Sequence, residues 1–302
     1  MTTLPLRPAA ALLSKSALRR NLLAVQRRIR DFDKLHRQDA RVMAIVKADA
    51  YGHDMDCIVP ELERAGVRDF AVASLEEGIE ARRISQKAKI LVLGGTFDWT
   101  PKAVNLLVKN KLKVGVNDIP SLKRFLALPH LELHLKLDTG MNRLGLKPND
   151  WSEALRLIKK SRRPLDGLFT HFATVSDAVF HQQAEVFEEA VRWFSNEGVR
   201  PTHIHSENSA SLFGSNQVRR GILSEVANLT RPGLSLYGYL PNDIPNRFGL
   251  EPVLELVSSV GLIKHLGVGE GVSYGHHYKA KRPHSVGVVP MGYADGVAKS
   301  YA

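Results

Sequence analysis

The sequence comprises 302 residues, of which 44% are hydrophobic and 24% charged, a composition typical of a globular protein with one or two domains. It contains no apolar run long enough to span a bilayer, which excludes a helical membrane protein, and we expect no membrane partner. Lysine and arginine (42) outnumber aspartate and glutamate (31), but they are spread along helical segments without a nucleic-acid-binding motif, so we expect no nucleic-acid partner.

The N-terminal segment predicts a helix, although its basic composition resembles that of a transit peptide. No acidic residue precedes Asp31. However, apolar residues recur at helical spacing from Leu18 to Ile29, as in a helix packed on a globular core. The single cysteine, Cys57, excludes an intrachain disulfide and fits a reducing compartment, so we expect a cytoplasmic protein.

From residue 42 to about residue 233, short apolar segments alternate with helical ones. Eight segments have the length and composition of buried strands, which predicts parallel βαβ units. Eight such units close into a (β/α)8 barrel, the TIM-barrel fold. An open doubly wound sheet is the alternative, but the sequence lacks the glycine-rich first turn of that fold. The expected strands are residues 42–48, 70–74, 89–95, 113–118, 131–138, 165–172, 203–208 and 229–233.

After about residue 240 the helical periodicity disappears. The segments VLELVSSVGLIKHL and HSVGVVPMGYADG are strand-like and contain glycine turns. We therefore expect two domains, a barrel at residues 1–240 and the start of a mostly β domain at residues 241–302. The second segment holds too few strands to close a barrel or sandwich, so we expect this domain to be incomplete.

Polar side chains cluster at the expected carboxyl ends of the strands, where barrel enzymes place their functional groups. Their lysines, arginines and histidine predict an electropositive pocket suited to an anionic ligand. Lys47 lies at the end of an apolar strand, and burial beside other cations favours its neutral amine, the form that condenses with an aldehyde. A phosphorylated aldehyde cofactor would fit, whereas the alternative is a lysine that extends to solvent at the barrel rim. The residues at these ends are Lys47, Tyr51, Lys136, Asp138, Arg143, His171, Asn208, Ser209, Arg231 and Gly233.

Seven segments together resemble the alanine racemases, in the same order and with similar spacing. VKADAYGHD alone is a specific match to the family's pyridoxal-phosphate lysine motif, whereas a lone RPG would not be informative. The resemblance covers almost the whole chain. The segments are VKADAYGHD (46–54), HLKLDTGMNRLGL (134–146), FTHFATVSD (169–177), HSENSAS (205–211), RPGLSLYGY (231–239), VSYGHHY (272–278) and MGYADG (291–296).

The resemblance implies a pyridoxal-phosphate site on the barrel. Lys47 would bind the cofactor covalently and act as one of two proton-transfer bases, and Tyr51 would bind the cofactor phosphate. Ser209 and the backbone amides of Gly233 and Leu234 would complete the phosphate cradle. Glycine allows the close approach that backbone amides need to bind an anion.

The resemblance also implies roles around the cofactor ring. His171 would lie beneath the pyridine ring, and Arg231 would donate a hydrogen bond to the pyridine nitrogen. Because arginine is a permanent donor, this nitrogen would stay unprotonated, which weakens the electron sink and favours racemisation over transamination. Arg143 would contact the substrate carboxylate and the phenolate side of the cofactor. Lys136 matches a lysine that is often carbamylated in the family, where its negative charge steadies the arginine.

Racemisation of L-alanine and D-alanine requires a base on each face of the Cα atom. Lys47 would serve one face and Tyr274, in VSYGHHY, the other. In the family this tyrosine comes from the partner subunit, so the resemblance implies a homodimer. Tyr293 would line the entrance of the site. The D-alanine formed would supply peptidoglycan synthesis in a bacterial cell wall.

Two further expectations concern metals and length. His203, His205 and Glu207 share one face of an expected strand, but barrel metal sites recruit several strands and no others offer ligands, so we expect no metal. The sequence stops before the family's pattern does, so we expect a fragment or shortened product that retains the barrel and most of the cofactor pocket.

Three alternative functions remain. The first is a racemase of broader specificity, which the sequence does not distinguish from an alanine racemase. The second is a non-catalytic cofactor-binding barrel, which the segments VSYGHHY and MGYADG disfavour. The third is an amino-acid decarboxylase on the same barrel, which Arg231 and DTGMNRLG do not resemble.

Overall fold

The computed structural model describes residues 7–36, 40–94, 98–175, 177–214, 226–241 and 244–298. Its contacts group these residues into two compact units, one of residues 15–253 and one of residues 7–14 with 254–298. They do not coincide with the expected ranges 1–240 and 241–302, because strand β1 (Ala9–Leu13) pairs with residues 254–258. In the described part of the chain, no helix is both long and apolar enough to cross a membrane.

The larger unit is built on an eight-stranded parallel sheet that forms a nearly closed (β/α)8 barrel, which confirms the predicted fold. The parallel pairing of Asn208 with Arg231 joins the two strands at the ends of the sheet. Most strand residues are buried on both faces, which explains their continuous apolar sequences. The strands are β2 (Arg41–Ile45), β3 (Asp69–Val72), β4 (Lys89–Val92), β5 (Lys113–Val116), β6 (Leu133–Lys136), β7 (Gly167–Phe169), β8 (His203–His205) and β9 (Leu229–Thr230).

The helices between the strands begin where the sequence offers capping side chains. Asp54, Thr100 and Asp118 each accept a hydrogen bond from the backbone amide three residues later. Ser74 and Glu77 form a reciprocal capping box. The helices are α1 (Lys15–His36), α2 (Lys47–Gly52), α3 (Met55–Arg64), α4 (Leu75–Ile84), α5 (Pro101–Lys109), α6 (Ile119–Leu126), α7 (Pro148–Ser161), α8 (Asp177–Asn196) and α9 (Ser209–Gly214).

Several strands end earlier than the sequence predicts. Strand β2 ends at Ile45 rather than at residue 48, and Lys47 is the first residue of α2. Strand β8 ends at His205, so Glu207 does not lie on a strand with His203 as expected. In both places the chain leaves the sheet before the polar residues, because in a (β/α)8 barrel the functional side chains lie at the strand ends and in the loops that follow them.

The smaller unit is mostly β structure, as the sequence predicts for the C-terminal segment. Strand β1 pairs antiparallel with β10 (Leu254–Ser258), so both ends of the described chain contribute to this unit. Two further antiparallel pairs follow. Their strands are β11 (Leu262–Leu266), β12 (Gly271–Val272), β13 (Tyr278–Lys279) and β14 (His284–Val288).

Candidate active site

A cavity of about 450 Å³ lies at the carboxyl ends of the barrel strands. Nine predicted site residues line it, including four cations, and none of its described lining residues is acidic. The cavity is therefore electropositive, as expected for an anion-binding site. The nine residues are Lys47, Tyr51, Lys136, Arg143, His171, Ser209, Arg231, Gly233 and Leu234.

The turn after Lys47 has an unusual left-handed conformation. Residues 48–51 all have positive φ, from 49° to 56°, although none of them is glycine. L-amino acids disfavour this conformation by about 1–2 kcal/mol each, so the surrounding structure must hold it in place. The Ala48 amide donates to Glu77 Oε1 (2.8 Å), and Asp49 Oδ1 accepts from the Met55 amide (2.7 Å).

The left-handed turn directs both Lys47 and Tyr51 into the cavity. The Lys47 ammonium lies 5.7 Å from the centroid of the Tyr51 ring. Tyr51 also packs on Tyr237, whose hydroxyl donates to the carbonyl of Ile45 at the end of β2 (2.9 Å). Burial, and secondarily the charge of Glu77, raise the pKa of Tyr51, so its hydroxyl stays protonated and can donate to an anion.

The Tyr51 hydroxyl lies against the backbone of Gly233. A Cβ atom added at Gly233 would be 2.7 Å from Tyr51 Oη, so this close approach requires glycine. The Gly233 and Ser235 amides both donate to Ser209 Oγ, at 2.9 and 3.1 Å. Two hydroxyls and a backbone segment without a side chain therefore border one region of the cavity.

Arg231 is buried at the base of the cavity and is held by three hydrogen bonds. Its guanidinium donates to the carbonyls of Thr170 (2.6 Å) and Ser206 (3.1 Å) and to His205 Nδ1 (2.6 Å). Burial lowers the pKa of Arg231 to about 9, and the nearby charge of Glu207 opposes this effect.

A histidine pair continues from Arg231 into the barrel core. Because arginine only donates, His205 must accept at Nδ1 and carry its hydrogen on Nε2. His205 Nε2 then donates to His134 Nδ1, 2.8 Å away. Burial, followed by repulsion from nearby cations, holds the pKa of both histidines well below the usual value. Both rings are therefore neutral at physiological pH.

Burial and the surrounding cations also lower the pKa values of His171 and Lys136. Burial lowers the pKa of His171 to about 3, with repulsion from Arg231 as the next cause. Burial lowers the pKa of Lys136 to about 8, and repulsion from Arg143 is the next largest cause. His171 is therefore a neutral ring, and Lys136 is much closer to neutrality than an exposed lysine.

Arg143 lies on a loop that is shaped by the carboxylate of Asp138. Asp138 Oδ1 accepts from the amides of Gly140 (3.1 Å) and Asn142 (2.9 Å), so the loop folds back over a single side chain. The Leu146 amide then donates to the carbonyl of Lys136 (2.9 Å), which anchors the end of the loop to β6. The sequence DTGMNRLGL thus places Arg143 at the cavity.

Tyr274 and Tyr293 belong to the smaller unit. Each begins a short 3-10 turn, and their side chains are 91% and 69% exposed. The described residues contain no group of three or more histidine, cysteine or acidic side chains that could hold a metal ion.

Comparisons with known proteins match both units to one family. Residues 20–241 match the N-terminal domain of alanine racemase, and residues 253–302 match its C-terminal domain. The chain belongs to the alanine racemase family. It is an isomerase that interconverts the enantiomers of alanine, which confirms the resemblance drawn from the seven sequence segments.

Individual alanine racemases agree with this assignment. The alanine racemase of Citrifermentans bemidjiense is 34% identical over 307 residues, covering 97% of this chain and 77% of the relative. That of Limosilactobacillus fermentum is 37% identical over 271 residues, covering 85% and 69%. The structure of the alanine racemase of Clostridium difficile superimposes with a TM-score of 0.83 at 30% identity, covering 97% of this chain and 76% of that one.

The residues of the cavity fit pyridoxal phosphate, the cofactor that the resemblance to the alanine racemases implies. A phosphate requires donors and an approachable backbone, which Tyr51, Ser209 and Gly233 offer. A pyridine ring requires a flat space beside a donor, and the described lining includes the buried guanidinium of Arg231. The volume of about 450 Å³ is within the range of cofactor sites.

Several residues near the cavity were not predicted from the sequence, and two of them contact residues of the site. Phe169, the last residue of β7, lines the cavity and stacks on His205 at a centroid distance of 4.7 Å. Glu77 holds the left-handed turn after Lys47. The sequence shows a capping-box pattern, S-x-x-E, at Ser74–Glu77. The hydrogen bond between Glu77 and the Ala48 amide joins residues 29 positions apart, and no sequence pattern indicates it.

Proposed function

We propose that this member of the alanine racemase family uses pyridoxal phosphate and moves the Cα proton with two bases, Lys47 on one face and Tyr274 on the other. The observation that carries the proposal is one cavity that Lys47, the hydroxyls of Tyr51 and Ser209 and three further cationic side chains all line. When bound, pyridoxal phosphate supplies an electron-withdrawing ring that acidifies the Cα–H bond of the amino acid.

The phosphate is held by neutral donors in this proposal. Tyr51 donates from its protonated hydroxyl, and Ser209 and the Gly233–Leu234 backbone offer further donors. Two of these donors already have partners: the Gly233 amide donates to Ser209 Oγ (2.9 Å), and Ser209 Oγ pairs with Ser235 Oγ (2.9 Å). Binding of an anion here therefore requires at least one of these contacts to be exchanged. The positive charge of Lys47 and its neighbours adds a long-range attraction for the phosphate.

Arg231 and His171 determine how the ring is used. The neutral His205 accepts from Arg231, so the guanidinium remains a donor and cannot take a proton from the pyridine nitrogen. Arg231 would thereby keep the pyridine nitrogen of a bound cofactor unprotonated, so the ring would withdraw less electron density, which favours quick reprotonation of Cα over side reactions. His171, neutral and half-buried, offers a flat surface without a competing charge.

Lys47 and Tyr274 carry the proton in opposite directions. Lys47 removes or returns the Cα proton at its Nζ atom, and Tyr274 does so at its hydroxyl oxygen on the other face. Arg143 binds the substrate carboxylate and fixes which bond faces each base.

Lys136 has the properties of a lysine that reacts with carbon dioxide. A neutral amine adds to CO2 and loses a proton to give a carbamate with one negative charge. The lowered pKa of Lys136, about 8, makes this form accessible near neutral pH. The carbamate would lie beside Arg143 and Arg231, whose charges favour it.

We also infer that the chain acts as a homodimer in which Tyr274 completes the site of the second copy. Tyr274 is 91% exposed, and the smaller unit exposes further large apolar side chains, including Ile263 (62%) and Val268 (69%). Exposed apolar surface of this kind is typical of a protein interface. Tyr293, 69% exposed, would border the entrance. We place the enzyme in the cytoplasm, where its D-alanine would supply peptidoglycan.

The decisive experiment combines cofactor binding with turnover. Wild-type protein mixed with pyridoxal phosphate should gain the absorbance of a lysine-bound cofactor, and borohydride should fix the label on Lys47. Lys47→Ala should lose both signals, whereas Lys102→Ala, a change at an exposed lysine, should keep them. Binding that survives Lys47→Ala, or a label on another lysine, refutes the assignment of Lys47.

Tyr274→Phe tests the second base separately. Removing one base should slow proton abstraction from one enantiomer far more directly than from the other, because each base acts on one face. The primary isotope effect should therefore rise mainly for that enantiomer. Equal isotope effects that the substitution leaves unchanged would exclude a two-base mechanism. Sedimentation of the wild-type protein measures the dimer, and a monomer at all concentrations with full activity would exclude a shared site.

A further inference from the structure

The carboxylate of Glu77, at the start of α4, joins the ends of two neighbouring barrel strands. Its Oε2 atom accepts from the amides of Ala73 (2.7 Å) and Ser74 (3.2 Å), directly after β3. Its Oε1 atom accepts from the amide of Ala48, directly after β2 and Lys47 (2.8 Å). One side chain therefore links the residue after Lys47 to the next strand of the barrel.

The contact with Ala48 is not required for the helix that carries Glu77. A capping box needs only the exchange between Ser74 Oγ and the Glu77 amide and between Glu77 and the Ser74 amide. The Oε1 contact lies outside this exchange. Its partner is Ala48, the first residue of the left-handed turn, whose φ of 49° costs an alanine about 1–2 kcal/mol.

The left-handed turn determines where two cavity side chains point. Lys47 precedes it, and Tyr51 ends it with its hydroxyl against Gly233. Asp49 fixes the far side of the turn through the Met55 amide (2.7 Å), whereas Glu77 fixes the near side. If the near side were released, the turn could relax to a right-handed form, and Lys47 and Tyr51 would no longer face the same space.

We propose that Glu77 is a positioning residue of this active site, whose carboxylate holds the left-handed turn so that Lys47 and Tyr51 reach one bound cofactor. The predicted effect on cofactor binding rests on the proposed function of the cavity. The predicted effect of Glu77 on the left-handed turn does not depend on that function, because it concerns only contacts within the protein. Glu77 itself does not line the cavity, so it acts through the backbone of Ala48.

The test compares Glu77→Gln with two matched controls on α4. A glutamine has one acceptor oxygen in place of two, so it can serve only one of the two strand ends. Ser74→Ala removes the helix cap but leaves the Glu77 carboxylate, and Glu76→Gln removes a neighbouring exposed charge. Glu77→Asp, with the charge kept on a shorter side chain, provides a second variant of the same contact.

Hydrogen exchange of the cofactor-free protein is the first readout. In Glu77→Gln the peptide covering residues 46–55 should exchange about tenfold faster, the change expected for loss of one charged hydrogen bond. Glu77→Asp should give an intermediate rate. In Ser74→Ala only the first turn of α4 should exchange faster, and Glu76→Gln should match the wild type. Unchanged exchange of residues 46–55 in Glu77→Gln overturns the proposal.

Affinity for pyridoxal phosphate is the second readout. Glu77→Gln should raise the Kd about tenfold, and both controls should stay within about twofold of the wild type. Adding Ala48→Gly to Glu77→Gln should recover part of the affinity, because glycine adopts the left-handed turn without support. Equal losses in Glu77→Gln and Ser74→Ala, or no recovery by Ala48→Gly, overturn the positioning role. A wild type that binds no pyridoxal phosphate refutes the proposed function instead, and the exchange rates still decide whether Glu77 holds the turn.

Discussion

Replacing Ala48 by glycine should stabilise this protein, although alanine-to-glycine changes in helical segments normally destabilise. Ala48 is exposed and has φ 49° and ψ 53°, so the change creates no cavity and affects mainly backbone conformation. Relief of the left-handed conformation is worth about 1–2 kcal/mol. Glycine also gains freedom in the unfolded chain, which costs about 0.4–1 kcal/mol. We therefore expect a net gain of about 0.5–1 kcal/mol in the free energy of unfolding.

The matched control is Ala24→Gly in α1, where the helix is right-handed. There glycine should cost about 1 kcal/mol, so the two variants should differ by about 1.5–2 kcal/mol and have opposite signs. Urea unfolding followed by circular dichroism measures both. If Ala48→Gly destabilised the protein as much as Ala24→Gly does, the left-handed turn would not be strained, and the reasoning from φ would be refuted.

Three further predictions concern the cavity and the core below it. Gly233→Ala would put Cβ 2.7 Å from Tyr51 Oη, so equilibrium dialysis should detect a Kd for pyridoxal phosphate about tenfold higher; an unchanged Kd would show that Tyr51 moves freely. Gly167→Ala would put Cβ 2.1 Å from His134 Nδ1, and urea unfolding should measure a loss of about 1–3 kcal/mol; a loss below about 0.5 kcal/mol would contradict the close packing. Lys136 loses its proton at about pH 8 in the folded protein but at about pH 10.5 when unfolded. The unfolded state therefore binds more protons between these values, and the free energy of unfolding should rise with pH across this window by about 3 kcal/mol relative to Lys136→Met in CO2-free buffer. Parallel pH profiles of the two proteins would exclude a depressed pKa.

The barrel could be predicted because its signals are local and repeated. Each strand is a short apolar run and each helix has its own period, so eight repeats indicate a closed parallel barrel without knowledge of any contact. The positions of several site residues could be predicted in the same way, because Lys47, Lys136 and Arg231 each lie at or just after the carboxyl end of a strand. Their roles came from the resemblance to a family and not from this pattern.

The left-handed turn could not be predicted, because nothing in Ala48–Tyr51 favours it locally. Alanine is the strongest right-handed helix former, and the apolar run predicts a strand as far as residue 48, so neither signal indicates a left-handed turn. The turn is stabilised by the nearby Met55 amide and by Glu77, which is 29 residues away and comes close only when β2 pairs with β3. Phe169 was missed for a different reason: an apolar residue in a strand is ordinarily core, and only its position at the strand end places it in the cavity.

The pairing of β1 with β10 was also invisible in the sequence. The segment Ala9–Leu13 is apolar but short, and its partner lies beyond the whole barrel. A pairing between strands about 240 residues apart depends on the folding of the chain between them, and no local sequence pattern predicts it.

This pairing has a consequence for synthesis on the ribosome. Ala9–Leu13 leaves the exit tunnel about 240 residues before Leu254–Ser258, so the first strand waits unpaired while the barrel between them is translated. During that interval it is a short apolar segment with free backbone donors and acceptors, the kind of segment that chaperones bind. The two strands can therefore pair only after the barrel between them has been translated.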